Sequence, residues 1–249
     1  MNRLPRSVVR RTFLRSFTIQ GSWNYRTLQG SGFAFALMPV LRWIHRDDPQ
    51  RLQESVQRHA TLFNAHPYLA GVALGAVARM EMDGEDPALI ERFKNALRGS
   101  LGTLGDRIVW AGWRPACALL GIAVLLITMS ATTAVLVFLV IYNLGHIGLR
   151  WWGLQIGVEY GLQVGERLRR APLGNWHEGV VGGAALLLGL VLPLAAAGGL
   201  TASRVSYWVL MLCVAGGVAG WRLGAAARPP VMVLLAVVAV AGFLLRLGQ

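Results

Sequence analysis

Charged side chains are scarce in this sequence. They make up 14% of its 249 residues, whereas a soluble domain carries about 25%. Acidic residues are the rarer kind: 12 Asp and Glu accompany 24 Lys and Arg, which gives a formal net charge of +12. Of the 12 acids, only Glu159, Glu166 and Glu178 follow Asp106. This shortage argues against a soluble globular enzyme, and a hydrophobic content of 55% excludes a disordered chain.

The residue patterns of common catalytic and metal sites are also missing. The two cysteines, Cys117 and Cys213, lie in uncharged apolar runs without a CxxC pattern, so we predict small buried residues. The chain has no HExxH, GxSxG or GxxxxGK[ST] motif, and its five histidines stand singly. We therefore predict no catalytic residue, no metal site and no cofactor.

The excess of positive charge has two explanations. Lys94 is the only lysine among the 24 basic residues, so the charge is almost entirely arginine. A nucleic-acid-binding protein would cluster basic residues with aromatic residues on one face. Here arginines instead stand at the ends of apolar runs, for example Arg150 and Arg204. Such arginines are typical of the cytoplasmic flanks of membrane segments, so we predict a lipid bilayer and no nucleic acid as partner.

Long uncharged runs dominate the second half, in line with a mean hydropathy of +0.50. Residues 116–143 contain no charge and, as a helix, would more than cross a bilayer core of about 30 Å. The weakly polar middle of this run, 128–133, predicts either a helix interior or a turn between two shorter helices. Further charge-free runs cover 179–203, 205–221 and 229–245.

The first half has a mixed composition. Residues 27–41 and 60–78 are uncharged, but each run is interrupted by a proline, which favours re-entrant or broken helices. Asp48-Pro49 and Asp86-Pro87 predict N-caps followed by proline at the first helical position. The helix after Asp48 also offers an i,i+4 pair, Glu54 with Arg58. Both capped helices are amphipathic and would lie on the membrane face.

These patterns predict an all-α, polytopic membrane protein with several transmembrane helices, re-entrant or broken helices, and amphipathic surface helices. We divide it into an N-terminal mixed-charge region, 1–115, and a transmembrane helical region, 116–249. The N-terminus carries arginines but no apolar signal segment. We expect it to be a basic arm held at the cytoplasmic face by anionic lipid.

Three polar segments interrupt the apolar pattern. In the first, 13–25, the Gln20 and Asn24 amides and the Trp23 indole are suited to bind sugar hydroxyls or to stack on a sugar ring. Composition alone favours the other interpretation, an amphipathic entry helix with Trp and Tyr at the membrane interface. In the second, 63–68, Asn64 and His66 precede a proline at the mouth of an apolar run.

His66 of the second segment has two interpretations. It titrates near neutral pH if it faces a cavity, or it bonds to backbone at a helix break that Asn64 caps. The third segment, 99–115, is rich in glycine, which is compatible with a hinge or with tight helix packing. There Asp106 would pair with Arg107 or Arg114 where the chain enters the membrane.

The polar segments carry a resemblance to a known family. The matching stretches are FLRSFTIQGSWNY (13–25), RHATLFNAHPYLAGVALG (58–75), GDRIVWAGWRP (105–115) and, more weakly, NLGHIGLRWWGLQIGVEYG (143–161). Over about residues 10–195 the chain resembles the IID membrane subunit of the mannose/fructose/sorbose family of the bacterial sugar phosphotransferase system.

The resemblance implies a multi-pass protein of the bacterial cytoplasmic (inner) membrane with a cytoplasmic N-terminus. It would form a hetero-oligomer in which a IIC subunit and this IID-type subunit make the translocation unit for a hexose-type sugar. Phosphoryl groups from phosphoenolpyruvate would pass through the IIA and IIB subunits, and IID itself would be non-catalytic. The implied residues of the substrate pathway or subunit interface are Gln20, Trp23, Asn24, Asn64, His66, Asp106 and Arg114.

The chain also departs from the family pattern. Arg26-Thr27 stand where Glu-Arg is common, and 99–106 reads GSLGTLGD where GPLAG(I/V)GD is common. Arg107 replaces a residue that is usually small. These departures keep open a second function, that of a non-transporting, divergent IID-like regulatory or structural membrane protein.

Overall fold

The computed structural model describes residues 4–196, which form nine α-helices and no β-strand. The predicted runs 205–221 and 229–245, as well as Cys213, lie outside this range. The helices are α1 (Arg6–Ser16), α2 (Gly30–Ile44), α3 (Pro49–His59), α4 (Ala70–Asp83), α5 (Pro87–Gly105), α6 (Arg114–Thr128), α7 (Ala131–Tyr160), α8 (Val164–Arg170) and α9 (Leu173–Ala196). A π-helix, Asp106–Trp113, joins α5 to α6, and a 3₁₀ turn, Gly161–Gln163, joins α7 to α8.

Three stretches of the described helices are long and apolar enough to cross a membrane. They are Pro87–Thr128, Ala131–Arg170 and Leu173–Leu192. Helix α2 is also apolar, but its 15 residues are too short for a span. The prediction of an all-α membrane fold with several spanning helices is therefore confirmed.

The weakly polar stretch in the middle of the run 116–143 forms a turn, which decides between the two alternatives. Helix α6 ends at Thr128, and Met129 adopts a left-handed backbone conformation with φ of 54°. The Ser130 hydroxyl then accepts the backbone N–H of Thr133 at 3.3 Å and caps α7. The run is therefore two helices of the described chain.

Both predicted N-caps are confirmed. The Asp48 carboxylate accepts a backbone N–H in the first turn of α3, and the Asp86 carboxylate does the same for α5, each at 3.0 Å. The predicted pair of Glu54 with Arg58 is wrong. Glu54 accepts from Gln50 in its own helix, whereas the Arg58 guanidinium reaches Glu81 on α4 at 2.7 Å.

Helix α2 continues through Pro39, although a proline normally breaks a helix interior. The missing N–H of Pro39 leaves the carbonyl of Phe35 without its helical donor. Arg15 of α1 compensates, because its Nη1 donates to that carbonyl at 3.2 Å and its guanidinium lies 4.5 Å from the centroid of the Phe35 ring. The other interrupted run does break: residues 60–69 are not helical, and α4 begins only at Ala70.

The chain forms two compact units that alternate along the sequence. Within the described residues, the polar unit comprises 4–107 together with Gly145–Ala171, and the apolar unit comprises Ile108–Leu144 together with 172–196. The predicted regions 1–115 and 116–249 were drawn from composition and stay a prediction.

Inside the polar unit, the backbones of α4 and α7 are in direct contact. A Cβ on Gly75 would lie 2.3 Å from the Leu154 carbonyl oxygen, and one on Gly157 would lie 2.4 Å from the Val72 carbonyl oxygen. Gly75 and Gly157 each close a G-x-x-x-G sequence, a pattern that lets helices approach closely in membranes. This contact fixes the last third of α7 against a buried α4.

The apolar unit packs α6 against α9. Cys117 of α6 is buried, as predicted. The Trp113 and Trp176 rings lie 5.7 Å apart, and the Trp113 indole N–H donates to the Tyr142 carbonyl at 3.4 Å. The first half of α7, by contrast, exposes a row of large apolar side chains: Val135, Leu136, Leu139, Val140 and Leu144.

Candidate functional site

Polar and aromatic side chains from the resembling segments meet inside the polar unit around two buried residues, His66 and Arg150. We call this group the His66 cluster, and it consists of Phe17, His66, Tyr68, His146 and Arg150. The first segment supplies Phe17, the second His66 and Tyr68, and the fourth His146 and Arg150. The rings of Tyr68 and His146 stack with centroids 4.7 Å apart, and those of His66 and Tyr68 meet edge to face at 5.1 Å.

Arg150 holds the cluster together. Its side chain is buried, with the residue 5% exposed, although an arginine that ends an apolar run was expected to flank the membrane. Its Nη1 donates to the Ser16 carbonyl at 2.8 Å, and its guanidinium lies 5.0 Å and 4.9 Å from the ring centroids of Phe17 and Tyr68. Because Ser16 ends α1, the cation also faces the negative end of that helix.

His66 shapes the turn that leads into α4. Its Nδ1 accepts the backbone N–H of Tyr68 at 3.2 Å, and its carbonyl accepts those of Leu69 and Ala70 at 3.0 and 2.9 Å. This arrangement agrees with the alternative in which His66 bonds to backbone, but the predicted cap by Asn64 is wrong, because α4 begins after Leu69 without a side-chain cap and the Asn64 side chain is exposed.

The protonation of His66 distinguishes the two alternatives. Burial lowers the pKa of His66 to about 4. The Asp106 carboxylate raises this pKa by a smaller amount, and the Arg150 cation lowers it further. The residue is 3% exposed. Of the two alternatives left open for His66, a pKa of about 4 favours the backbone-bonded imidazole, which is neutral at pH 7, over one that titrates near neutral pH.

The third polar segment reaches the cluster through a glycine. A Cβ on Gly105 would lie 2.2 Å from the Cβ of His66, so only glycine fits there. Tight packing, rather than a hinge, accounts for this glycine. Asp106 follows at the start of the π-helix and is exposed, and it forms no salt bridge with Arg107 among the described residues.

The other residue predicted in the third segment lies in the apolar unit. The exposed Arg114 begins α6, and its guanidinium lies 5.4 Å from the ring centroid of Trp110 in the same unit. This is a cation–π contact at the surface.

The candidates in the first polar segment form the turn between α1 and α2. The Asn24 carboxamide oxygen accepts the backbone N–H groups of Arg26 and Thr27 at 3.0 and 2.9 Å, and so shapes the turn. Trp23 and Tyr25 are both exposed, with rings edge to face at 4.9 Å, and Tyr25 is 91% exposed. The Gln20 side chain is exposed as well. The turn therefore presents two aromatic rings outward.

Gln29, which no pattern in the sequence marks, docks the first segment onto the second. Its side chain is buried and makes reciprocal hydrogen bonds with Ala65: Nε2 donates to the Ala65 carbonyl at 2.9 Å, and Oε1 accepts its N–H at 3.2 Å. The backbone adds an isolated bridge between Leu28 and Phe63. Residues 60–66 thus gain the hydrogen bonds that a broken helix cannot supply itself.

A second buried polar group, which we call the Glu81 network, lies beside α3. The Glu81 carboxylate accepts from Arg58 and from the His59 Nε2, each at 2.7 Å, and the His45 Nε2 lies 3.7 Å away. Burial would raise the pKa of Glu81, but the His59 and Arg58 contacts outweigh it and lower the pKa to about 2. Burial lowers the pKa of His59 against the pull of Glu81.

The only lysine completes the buried polar interior of this unit. Lys94 of α5 is fully buried, and its Nζ donates to the Arg58 carbonyl at 3.0 Å and to the Thr61 hydroxyl at 2.8 Å. No motif in the sequence points to this residue. Its one signal was its uniqueness in a chain that otherwise uses arginine.

Comparison with known proteins gives one family. A sequence profile described as "PTS system mannose/fructose/sorbose family IID component" matches residues 3–211. The PTS system mannose-specific EIID component of Escherichia coli K12 is 31% identical over 183 residues, which are 71% of this chain and 64% of that protein. The fructose permease IID component of Bacillus subtilis is 29% identical over 190 residues, 74% of this chain and 66% of that protein. The match thus spans just under two thirds of each relative.

Two solved structures are similar. One is a cryo-EM structure of the mannose transporter ManYZ in complex with microcin E492, with 27% identity, a TM-score of 0.61, and coverage of 78% of this chain and 72% of that one. The other, described as a membrane protein, has 24% identity and a TM-score of 0.67 over 90% of this chain and 98% of that one. The second likeness concerns the fold alone.

Proposed function

Because the chain belongs to the family of mannose/fructose/sorbose phosphotransferase IID components, we propose that it is one membrane subunit of a sugar transporter. It pairs with a IIC subunit to form the translocation unit for a hexose-type sugar. The IIA and IIB subunits carry the phosphoryl group, and this chain is non-catalytic. We place it in the bacterial cytoplasmic membrane with a cytoplasmic N-terminus, in keeping with its basic first helix.

The observation that carries this proposal is the convergence of the resembling segments on the His66 cluster. Four separate stretches contribute to it. Arg150 of the fourth stretch bonds to the Ser16 carbonyl of the first and lies over Tyr68 of the second, and Gly105 of the third packs directly against His66. Four matched stretches that build one packed group support a shared fold and a shared role. Matches scattered over unconnected surfaces would support neither.

The cluster itself acts as a framework rather than as a sugar site. A sugar needs accessible donors and acceptors, whereas His66 and Arg150 are buried and already engaged. The exposed candidates suit the pathway or the subunit interface better. These are Gln20, Trp23, Asn64, Asp106 and Arg114. Their amides, carboxylate and indole groups are neutral or anionic partners for sugar hydroxyls, apart from the Arg114 cation. Asn24 is half-buried and its side chain is already bonded within its own turn, so it would support the neighbouring Trp23.

The mechanism we propose is alternating access, in which a bundle of helices moves and exposes the bound sugar to one side and then the other. The polar unit would move, or stay in place, as one rigid body. The reason is that separating Arg150 from Ser16 would break the hydrogen bond between the buried guanidinium and the Ser16 carbonyl. Amides at the surface bind sugar hydroxyls without a change of protonation, so sugar binding itself should depend little on pH.

Reconstitution tests the proposal. The chain is purified with its neighbouring IIC, IIB and IIA subunits, placed in proteoliposomes, and supplied with phosphoenolpyruvate and the general phosphoryl carriers. We expect uptake and phosphorylation of a hexose-type sugar that require this chain. Assembly of the complex without uptake or phosphorylation would instead support the regulatory or structural alternative.

A matched pair of variants sharpens this test. Asn64→Ala removes an exposed amide from a resembling segment, and Gln53→Ala removes an exposed amide from α3. If Asn64 lies on the pathway or the interface, N64A lowers uptake or IIC retention by severalfold and Q53A leaves both unchanged. Equal activity of the two variants would remove Asn64 from the site.

A further inference from the structure

A groove in the polar unit has a combination of side chains that the proposed function does not use. It has a volume of about 910 Å³ and lies between the start of α1, the end of α4 and the last part of α7. Its polar lining includes three arginines, Arg6 and Arg10 of α1 and Arg79 of α4. Pockets of this size are in the range that accommodates organic ligands.

The arginines give the groove a positive edge. Arg6 and Arg10 stand one helical turn apart and therefore share a face of α1. Neither of them forms a salt bridge with any residue from 4 to 196, whereas the Arg79 Nε is paired with Asp83 at 2.6 Å. Two guanidinium groups with unused donors on one face suit an anion such as a phosphodiester.

The rest of the lining is apolar. Leu4 is buried, and Val9, Met82 and Val158 are partly buried members of the polar unit's core. The exposed ring of Trp151 lines the groove as well. A free phosphate ion would gain nothing from these surfaces, whereas the first carbons of an acyl chain would.

The sequence before Trp151 indicates at which level of the bilayer this residue lies. Residues 131–149 carry no charge and belong to one of the candidate spans. As a helix they rise about 28 Å, close to the thickness of a bilayer core of about 30 Å. Trp151 therefore follows directly after the hydrocarbon region, at the level where aromatic belts and lipid headgroups lie.

We propose that this groove binds an anionic phospholipid. Arg6 and Arg10 hold the phosphodiester, and the acyl chains begin along Leu4, Val9 and Val158. Glu159 also lines the groove and opposes the anion, so it sets an upper limit to the affinity. The site is independent of sugar transport, because none of its residues belongs to the pathway candidates or the His66 cluster.

Adjacent arginines on α1 provide a matched test. Arg10 lines the groove, whereas Arg11 is exposed on the same helix and does not. The full-length wild type and the variants R10Q and R11Q are purified in detergent, mixed with equal amounts of phosphatidylglycerol and phosphatidylcholine of the same acyl chains, and examined by native mass spectrometry. We expect wild type and R11Q to retain phosphatidylglycerol selectively and R10Q to retain about tenfold less, as for the loss of one hydrogen bond to a charged group.

A further variant should bind more of the anionic lipid than wild type does. E159Q removes the opposing carboxylate from the lining and should increase retention of phosphatidylglycerol severalfold. Equal losses in R10Q and R11Q would overturn the proposal, because they would mean diffuse attraction to a basic surface. Equal retention of the two lipids would overturn it too, because the groove would then not recognise the headgroup. Full displacement of phosphatidylglycerol by millimolar inorganic phosphate would also overturn it, because the acyl chains would then contribute nothing to binding.

Discussion

Replacing Glu81 by glutamine should destabilise the protein far more than an ordinary loss of one carboxylate. Glu81 accepts two hydrogen bonds of 2.7 Å, from Arg58 and from His59, in a buried position. Its pKa is lowered from 4.5 to about 2, because these contacts outweigh the cost of burial. At 1.36 kcal/mol per pKa unit the folded state gains about 3 kcal/mol from ionised Glu81. Removing one member of a buried charge pair costs a similar amount.

The matched control is Asp83→Asn, two residues farther along the same helix. Asp83 pairs with Arg79 at a position where its side chain is 41% exposed, and a surface pair of this kind contributes at most about 1 kcal/mol. For a chain of this size, about 1 kcal/mol shifts Tm by roughly 2–4 °C. In detergent at pH 7, thermal unfolding should therefore give a Tm for E81Q that is about 6–12 °C below wild type, and one for D83N that is within about 4 °C.

The pH dependence of the same experiment has a definite sign. Because the folded-state pKa of Glu81 lies below the ordinary value of 4.5, its stabilisation is complete above that pH and is lost as the pH falls towards 2. The advantage of wild type over E81Q should shrink over that interval. Equal Tm shifts for E81Q and D83N at pH 7 would refute the assignment of Glu81 as the centre of a buried network.

Three further predictions use the same unfolding measurement. The pKa of His66 is about 4 in the folded protein and 6.5 in the unfolded chain, so protonation favours the unfolded chain. The wild-type Tm should therefore fall as the pH falls from 6.5 to 4, and the H66Q variant should show a smaller fall. An equal fall in both proteins would contradict a neutral, buried His66. G105A should cost about 1–3 kcal/mol by overpacking against His66, whereas G102A on the same helix, with open space around its Cβ, should be neutral or slightly stabilising. R150K should lower Tm by several degrees, because lysine lacks the planar guanidinium that bonds to Ser16 and stacks on the rings. R169K, at an exposed position of α8, should leave Tm unchanged. Equal Tm values for the two variants would contradict the role of Arg150.

Features that depend on neighbouring residues were predictable from the sequence. The N-caps at Asp48 and Asp86 involve backbone N–H groups two or three residues away, so the Asp-Pro sequence alone specifies them. The apolar spans follow from uncharged length alone. The same reasoning from neighbouring residues gave the wrong partner for Arg58, namely Glu54 in place of Glu81. An exposed i,i+4 pair with Glu54 contributes only about 0.5 kcal/mol, and the fold brings Glu81 to a buried position where the contact is worth more.

Features that depend on distant residues were not predictable in this way. Arg150 reads as a membrane-flanking arginine, but its acceptor, the Ser16 carbonyl, is 134 residues away in the chain. The pattern singled out His66 but left its protonation open between two alternatives. Its pKa is set by burial, and burial follows from Gly105, which admits the imidazole so close to α5.

Two of the departures from the family pattern, at Arg26 and Gly102, fall where the fold makes few demands on a side chain, whereas the Thr27 hydroxyl bonds to Asn24 in the turn. Arg26 is exposed, and the fold uses only its backbone N–H, which Asn24 accepts. Gly102 has open space where the family's alanine would stand, whereas Gly105, which the pattern keeps, has no room at all. A changed residue at an open position alters the surface without a cost in packing, so the framework around His66 persists while the surface diverges. Differences in partner or sugar between this chain and its relatives should therefore originate at exposed positions such as Arg26, and not within the buried cluster.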